Sequence, residues 1–247
     1  MTDHRLIKRV EKLPQHFRDA EAVLLSLGVD DFLFHGGAIR DHLLGIQHKD
    51  IDVNAFLPEA EGFWSGVYEC VFQTPAISRF PKASFFKPKT LCELFQEKGL
   101  EFKSVGRNKD RISMRFQFQG SRGKTEEIDL CLRDHDHRWF EDHDYDASMN
   151  GLLMDRNGHI YGPPEAEADL ALRTYRIQPR HGVMHACGSL QRFPEMKRRI
   201  QGLTLAMDEG CTGLQKAWVG MRQYSSLPDK ALSALKAYRI RVVELNL

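Results

Sequence analysis

The sequence lacks three features that would place it in a specialised class of protein. Charge of one sign is not in excess, because 35 basic residues balance 34 acidic ones, so any site for a polyanion must be local. Uninterrupted apolar stretches long enough to span a bilayer are missing, and the first residues lead into a charged segment rather than an apolar signal core. We therefore expect a cytoplasmic protein with no membrane partner.

Closely spaced cysteines are also missing. The five cysteines are scattered, and none forms the short pair of a zinc knuckle or redox motif. They are best interpreted as reduced thiols, in agreement with a cytoplasmic location. A chain of 247 residues is long enough for a catalytic domain and a smaller helical one. We predict a first domain over residues 1–177 and a helical domain over 178–247.

What the sequence does contain is a diglycine turn between an apolar run and a short helix. Residues 32–34 are apolar, Gly36 and Gly37 follow, and the next residues favour a helix. Two glycines before a helix allow backbone N–H groups to approach phosphate oxygens, where the helix dipole adds favourable charge. A glycine pair alone is usually just a turn, so its phosphate role depends on its neighbours.

Paired carboxylates follow this turn. Asp50 and Asp52 lie two residues apart at the start of a predicted strand, so their side chains share one side of it. Asp129, in a second strand, points away from its apolar neighbours and is the candidate third acid. Mg²⁺ prefers hard oxygen ligands. Turn, helix and acids together predict a site that holds a triphosphate beside divalent metal, as nucleotidyl transfer requires.

Periodicity predicts the surrounding elements, which comprise a helical segment within residues 6–27, strands over 32–34 and 51–57, a helix over 90–98 with Thr90 as its N-cap, and a hairpin of 112–118 with 127–132. From about residue 178 the chain favours helices, one of them opened by Phe193 and Pro194. The aromatic segment 59–89 has no clear period. It is either a lid or base-stacking platform, or an apolar excursion packed on the sheet.

Two charged regions allow both a functional and a neutral interpretation. The His- and Asp-rich segment 134–144 has metal-ligand chemistry, but a solvated acidic loop is the favoured interpretation. Several arginines of the C-terminal part, including Arg192 and Arg199, offer a surface for an RNA or DNA backbone. Solvated helix faces account for the same residues and are slightly favoured.

Four segments together resemble the head domain of the bacterial poly(A) polymerase and tRNA CCA-adding enzyme family, within the polymerase β nucleotidyltransferase superfamily. The main signature is Gly-Gly-Ala-Ile-Arg-Asp-His-Leu-Leu-Gly at residues 36–45 with Lys-Asp-Ile-Asp at 49–52. Residues 128–133 are similar to the family strand with the third acid, usually Glu there, and the basic residue after it. Residues 146–155, with 158–163 after them, resemble the Asp-Phe-Thr-Ile-Asn-Ala-Leu block and its hairpin.

The resemblance implies an α+β fold, with a polymerase β-like mixed sheet flanked by helices and a small helical C-terminal domain. It implies an NTP-dependent nucleotidyltransferase that moves a nucleoside monophosphate to a hydroxyl acceptor, RNA or tRNA being the first candidate. Two Mg²⁺ ions would be bound by Asp50 and Asp52, and Asp129 would share the ion that activates the acceptor hydroxyl. The implied nucleotide-binding residues are Gly36, Gly37, Arg40, Asp41, Arg133, Asp146 and Asn150.

The sequence also departs from this family. Asp144 and Tyr145 stand where the family has an arginine pair, and residues 180–199 lack its Glu-Asp-x-x-Arg motif for base selection. We therefore do not predict CCA addition, and the acceptor and the preferred base stay open. The alternative is a catalytically silent nucleotide- or RNA-binding protein that retains the fold.

Overall fold

A single mixed sheet of eight strands dominates the computed structural model, which describes residues 4–73, 88–107, 111–133, 145, 147–177 and 183–207, without the side chains of 73, 183–188, 190, 191 and 207. The strand order is β1-β8-β7-β2-β3-β6-β5-β4, and two further strands, β9 and β10, pair in parallel. The strands are β1 (Arg5–Arg9), β2 (Phe32–His35), β3 (Ile51–Phe56), β4 (Glu101–Arg107), β5 (Arg111–Gln119), β6 (Thr125–Arg133), β7 (Leu153–Met154), β8 (His159–Gly162), β9 (Thr174–Ile177) and β10 (Thr204–Met207).

The helices within the described residues are α1 (Gln15–Ser26), α2 (Gly37–Leu43), α3 (Gly62–Gln73), α4 (Lys89–Glu97), α5 (Ala166–Ala171) and α6 (Val183–Arg199), with a 3₁₀ turn at Ser148–Asn150. Helix α1 covers the apolar sheet face through Phe17, whose ring lies 4.8 Å from that of Phe34. Helix α4 covers the same face through Phe95, 5.1 Å from Phe116. The α+β architecture expected from the sequence, a mixed sheet flanked by helices, is confirmed.

Alternation of side chains gives this sheet its two different faces. Every second residue of β5 and β6 is buried, and the residues between them are only partly covered. Residues at i and i+2 of a strand share a face, so the partly covered residues of neighbouring strands form one polar surface. Strand β3 pairs with β6 in parallel, and β2 with β3 in antiparallel. The candidate site lies on this polar face, at the centre of the sheet.

The first helical segment was predicted to start too early. Arg5–Arg9 is a strand that pairs with β8, and helix α1 starts only after Pro14, its N-cap. The apolar residues of 6–27 fit a helical period from Phe17 onward, whereas β1 is an edge strand whose pairing partner lies about 150 residues away. Backbone pairing with that partner outweighs the local pattern.

Three further local predictions need correction. Helix α4 has Pro88 as its N-cap and no side-chain cap bond, so Thr90 lies inside the helix. Helix α6 does not open at Phe193 but at Val183, and it continues through Pro194. The C-terminal part is not wholly helical, since Thr204–Met207 is a strand paired with β9.

The remaining predicted elements are confirmed within the described residues. The strands after residues 31 and 50 and the hairpin of β5 with β6 are present, and β4 and α3 are additional elements. The predicted boundary between residues 177 and 178 stays a prediction, and β9 pairs with β10 across it. No helix of the described residues has both the length and the apolar character that crossing a membrane requires.

Candidate active site

The diglycine turn brings the backbone against a carboxylate. Gly36 is the N-cap of α2 with φ 74° and ψ −135°, a conformation that glycine alone adopts without strain. Its N–H donates to the carbonyl oxygen of Leu152 at 2.9 Å. A Cβ at this position would lie 3.2 Å from Oδ2 of Asp52. Glycine is thus needed for the backbone shape and for the close approach of the turn to Asp52.

Four polar side chains form a row across the centre of the sheet. The strand register pairs His35 of β2 with Asp52 of β3, Asp52 with Asp129 of β6, and Asp129 with Arg115 of β5. Residues paired in register share a sheet face, so all four project from the polar surface. Asp50 precedes β3 by one residue, and its charge acts on both Asp52 and Arg115. The structure therefore places Asp52 and Asp129 side by side on neighbouring strands, with Asp50 just before the first of them.

Electrostatic repulsion is concentrated at Asp52. Burial, with the nearby charges of Asp50 and Asp129, raises the pKa of its carboxyl to about 7. Two arginines oppose this rise, Arg115 from β5 and Arg192 from α6. The pKa of His35 is lowered to about 4, chiefly by burial and also by the positive charge of Arg133. A cation placed among the carboxylates would remove the cost of ionising Asp52.

The carboxylate oxygens of Asp50, Asp52 and Asp129 suit a hard divalent cation, but they are not arranged as a metal site in this structure. Carboxylate oxygens are the ligands that Mg²⁺ prefers. Within the described residues, however, no three acidic, histidine or cysteine side chains are close enough together to hold a metal ion. Nη2 of Arg115 lies 2.5 Å from Oδ2 of Asp129 and occupies that carboxylate. Binding of a metal ion through Oδ2 of Asp129 therefore requires Arg115 to move away.

A second, buried set of charges lies around α2. Arg40 and Asp41 are 2% and 1% exposed, and both Nε and Nη2 of Arg40 donate to Oδ1 of Asp41, at 2.7 and 2.5 Å. Nη1 of Arg40 donates to the side-chain oxygen of Asn150. The other carboxylate oxygen of Asp41 accepts from Nη2 of Arg199 on α6, at 2.6 Å. This group, which we call the arginine network, consists of Arg40, Asp41, Asn150 and Arg199.

The arginine network changes how two predicted site residues are understood. Nη2 of Arg40 lies 3.4 Å from the position that a Cβ of Gly37 would occupy, so the guanidinium packs against the turn. Its donors are directed to Asp41 and Asn150 inside the protein. A group this buried and this fully paired acts by holding the turn in place. Direct contact of Arg40 or Asp41 with a triphosphate stays a prediction.

The other predicted residues lie at different distances from the centre. Asn150 ends the 3₁₀ turn, and its carbonyl oxygen lies 4.0 Å from a Cβ placed on Gly36. Arg133 ends β6 on the same face as Asp129, four residues further along, opposite Phe56 of β3. Asp146 lies outside the described residues, as do the His- and Asp-rich segment 134–144 and residues 74–87 of the aromatic segment.

The sequence analysis missed four residues that act on this site. Arg115 was within reach of prediction, because the hairpin register that pairs it with Asp129 follows from the turn between β5 and β6. His35 is adjacent to the glycines and shares a row with Asp52. Arg192 and Arg199 had no local signal, since only the docking of α6 brings them near the sheet.

One curated protein is similar in sequence. The chain is 28% identical over 198 residues to a protein named "Multifunctional CCA protein" from Janthinobacterium sp. (strain Marseille). The match covers 78% of this chain but 42% of that protein, so the chain spans less than half of the relative's length. No protein-family model matches the chain.

Two solved structures show a weaker likeness. The Bacillus stearothermophilus CCA-adding enzyme in complex with CTP superposes with a TM-score of 0.48 at 19% identity, covering 90% of this chain and 49% of that one. The Thermotoga maritima CCA-adding enzyme complexed with tRNA gives a TM-score of 0.49 at 15% identity, covering 97% and 55%. The sequence match by itself confirms the resemblance of this chain to the poly(A) polymerase and CCA-adding enzyme family.

Proposed function

We propose that this protein is a Mg²⁺-dependent nucleotidyltransferase that moves a nucleoside monophosphate from an NTP to a hydroxyl of an RNA acceptor in the cytoplasm. One observation carries the proposal. Asp52 stands between Asp129 and His35 in one row, with the diglycine turn against its carboxylate. The turn that would bind phosphate thus lies directly beside the acid that would bind metal. Nucleotidyl transfer needs these two groups close together.

The carboxylates, the glycine turn and the arginine network each have a separate role in the proposed reaction. Asp50, Asp52 and Asp129 would hold the metal, which when bound neutralises charge on the phosphates and lowers the pKa of the attacking hydroxyl. Gly36 has no Cβ, so the backbone of the turn lies close to the carboxylate that would hold the metal. The arginine network fixes the position of α2, whose N-terminal N–H groups face the turn. Positioning of this kind supplies much of the rate in phosphoryl-type transfer.

An RNA acceptor is supported by the sequence similarity to the CCA protein. Because the chain spans 42% of that relative, the acceptor and the whole reaction of the relative are carried over only as a proposal. The three cysteines of the described residues, Cys70, Cys92 and Cys131, are not in disulfides, which supports a reducing compartment. The altered base-selecting segment leaves the choice of nucleotide open.

The test is incubation of the protein with each labelled NTP, Mg²⁺ and total cellular RNA, followed by separation of RNA from protein and small molecules. We expect the label in RNA with the native protein. The control is Asp30→Ala, which removes an exposed acid outside the row and should leave labelling unchanged. Labelling that persists in EDTA, or that reaches only protein or small molecules, contradicts the proposal.

A second candidate is a catalytically silent nucleotide-binding protein. The observation that favours it is the contact of Arg115 with Asp129, which competes with a metal for one oxygen of that carboxylate. Calorimetric titration with ATP separates the candidates. An active enzyme binds ATP more tightly with Mg²⁺ than in EDTA, and transfers label. A silent protein binds ATP, with or without metal, and gives no labelled product.

A further inference from the structure

Asp50 lies just outside the strand pairing that fixes the other two acids. Strands β3 and β6 pair from Ile51 onward, and this register places Asp52 opposite Asp129. Asp50 is the last residue of the segment 44–50, which joins the end of α2 to the start of β3. The contacts that hold this segment therefore set where the Asp50 carboxylate lies relative to the row.

The middle of this segment is held by α2 and α6. The N–H of Ile46 donates to the carbonyl oxygen of Asp41 at 2.9 Å. The carbonyl oxygen of Gln47 accepts from Nη2 of Arg199 at 3.0 Å. Both contacts use the main chain of the segment, and both come before His48. The side chain of His48 then connects the segment to the sheet.

His48 contacts the first residues of β6. Its Nε2 lies 2.8 Å from Oε2 of Glu126, and the two side chains are only 9% and 8% exposed. A carboxylate only accepts hydrogen bonds, so Nε2 carries a hydrogen and is the donor. His48 comes two residues before Asp50, and Glu126 comes three residues before Asp129. The bond thus joins the chain just before one acid to the chain just before the other.

Neighbouring side chains keep this bond in place. Nζ of Lys124 lies 3.1 Å from Oε1 of Glu126, so both oxygens of this buried carboxylate are paired. The ring of His48 stacks on that of His16 at the start of α1, with centroids 4.2 Å apart and planes inclined by 25°. Burial of a carboxylate is costly unless it is paired, and an enclosed, stacked ring has little room to rotate. His48 and Glu126 therefore have one preferred arrangement.

We propose that His48 is a positioning residue for metal binding, which holds the Asp50 carboxylate beside the row through its hydrogen bond to Glu126. The His48 side chain does not touch the metal, and it acts only on the segment that ends at Asp50. Mg²⁺ demands oxygen ligands at short and nearly fixed distances, so a displaced carboxylate weakens its binding. Groups that orient a metal ligand change the affinity for the metal without contacting it. This assignment deepens the nucleotidyltransferase proposal and rests on it.

The first measurement is the affinity for Mn²⁺ without nucleotide, followed by EPR of the free ion. Mn²⁺ takes the same oxygen ligands as Mg²⁺, and the binding that Asp52→Ala abolishes reports the row. His48→Leu, which removes the donor, is expected to weaken this binding by about tenfold, the lower end of the usual loss for groups that orient metal ligands. His48→Gln keeps an N–H donor and should recover most of the affinity.

The matched control is His159→Leu. His159 also pairs with a carboxylate, its Nδ1 lying 2.9 Å from Oδ2 of Asp155. This pair lies in the turn between β7 and β8, at the end of β7 that is directed away from the diglycine turn. Loss of the pair should leave the Mn²⁺ affinity at the native value.

The second measurement separates positioning from stability by means of a double variant. His48→Leu or Glu126→Leu alone leaves a buried polar group without its partner, so each should lower Tm. Removal of both groups together should restore most of the Tm, because neither is then left unpaired. The Mn²⁺ affinity should stay about tenfold weaker in the double variant, since the bond that holds the segment is still missing. Affinity that returns with Tm overturns the assignment, because His48 would then act through stability alone.

Amide hydrogen exchange without metal locates the change. His48→Leu should speed exchange in residues 44–50 more than in β1 and β8, which lie at one edge of the sheet. Equal increases across the sheet, or native Mn²⁺ affinity in His48→Leu, overturn the assignment. Failure of the native protein to transfer label, together with the expected Mn²⁺ results, refutes the nucleotidyltransferase proposal and leaves the positioning role of His48 standing.

Discussion

The two charged groups of the candidate site are built in opposite ways. In the arginine network, Arg40, Asp41 and Arg199 alternate in sign, and their contacts with one another each join a donor to an acceptor. In the row across the sheet, Asp52 and Asp129 lie side by side with the charge of Asp50 nearby, and the pKa of Asp52 is raised to about 7. The network is complete without a ligand, whereas the row gains from an added cation. We therefore propose that the network supports the site and that the row is where ligands bind.

The largest expected effect comes from removing the central carboxylate of the row. Asp52→Ala removes a metal ligand, and loss of several kcal/mol of charge stabilisation corresponds to a decrease of more than about 1,000-fold in the rate of transfer. The rate is measured with labelled NTP and RNA. Folding should survive, because the change also removes a repulsive charge. Substantial activity in this variant, or in Asp50→Ala, would refute the assignment of the row.

The next effect tests the arginine network and is expected in stability. Asp41→Ala leaves Arg40 buried without its counter-ion, which should lower the free energy of unfolding by about 3–5 kcal/mol. Denaturant unfolding measures this loss. Arg199→Ala should cost less, because its side chain is 28% exposed and water can solvate what remains. Equal losses of unfolding free energy in the two variants would contradict this, because they would show that burial of Asp41 adds nothing to its contribution to stability.

The sequence was informative about the row because its signals are local. Asp50 and Asp52 are two residues apart, and the alternation in β6 places Asp129 opposite its apolar neighbours. Once β3 pairs with β6 with the polar residues of both strands on one face, Asp52 and Asp129 come together. The core strands and the hairpin follow from the same period of two.

The network was not predictable for the opposite reason. Arg199 meets Asp41 across 158 positions in the chain, and Arg40 meets Asn150 across 110. Pairs this far apart cannot be predicted from the short periods of helices and strands. The strand Arg5–Arg9 was missed on the same ground, since its partner β8 is equally distant in the chain. Long-range pairing decides both, and local propensity is too weak to reveal it.

A smaller effect concerns the contact that joins the row to a positive charge. Arg115→Ala frees the carboxylate of Asp129, so the Mg²⁺ concentration for half-maximal binding of ATP should fall by about three- to tenfold, as expected for a partly exposed ion pair worth about 1 kcal/mol. The Asp129 and Arg115 side chains are 24% and 39% exposed. Calorimetric ATP titrations at several Mg²⁺ concentrations measure the shift. A higher Mg²⁺ requirement would mean that Arg115 helps to bind the metal–nucleotide complex rather than competing with it.

The smallest effect lies in the dependence of stability on pH, measured in EDTA. The pKa of Asp52 is raised from 3.8 to about 7 on folding, so the folded state retains a proton that the unfolded state has lost between these values. Stability therefore falls as the pH rises through this window. Asp52→Asn should raise Tm by several degrees at pH 8 and leave it unchanged at pH 4.

His16, outside the row, provides a contrast of opposite sign. Burial and the nearby charges of His48 and His42 lower its pKa from 6.5 to about 4, against the attraction of Glu126, and its ring stacks on His48 at 4.2 Å. Stability due to His16 is complete above pH 6.5 and is lost as the pH falls towards 4. His16→Gln should therefore lose less stability in acid than the native protein. Between pH 4 and pH 7, the Tm advantage over the native protein should grow with rising pH for Asp52→Asn and shrink for His16→Gln. Advantages that change in the same direction would mean that the two environments do not differ as described.

Mg²⁺ should separate the two contributions. A cation bound among the carboxylates removes the cost of ionising Asp52, so the advantage of Asp52→Asn at pH 8 should disappear or reverse when Mg²⁺ replaces EDTA. The acid behaviour of His16→Gln should not change, because the positive neighbours of His16 lie outside the row. An advantage of Asp52→Asn that persists at saturating Mg²⁺ would mean that the row does not bind the ion. In that case the raised pKa of Asp52 would reflect burial alone.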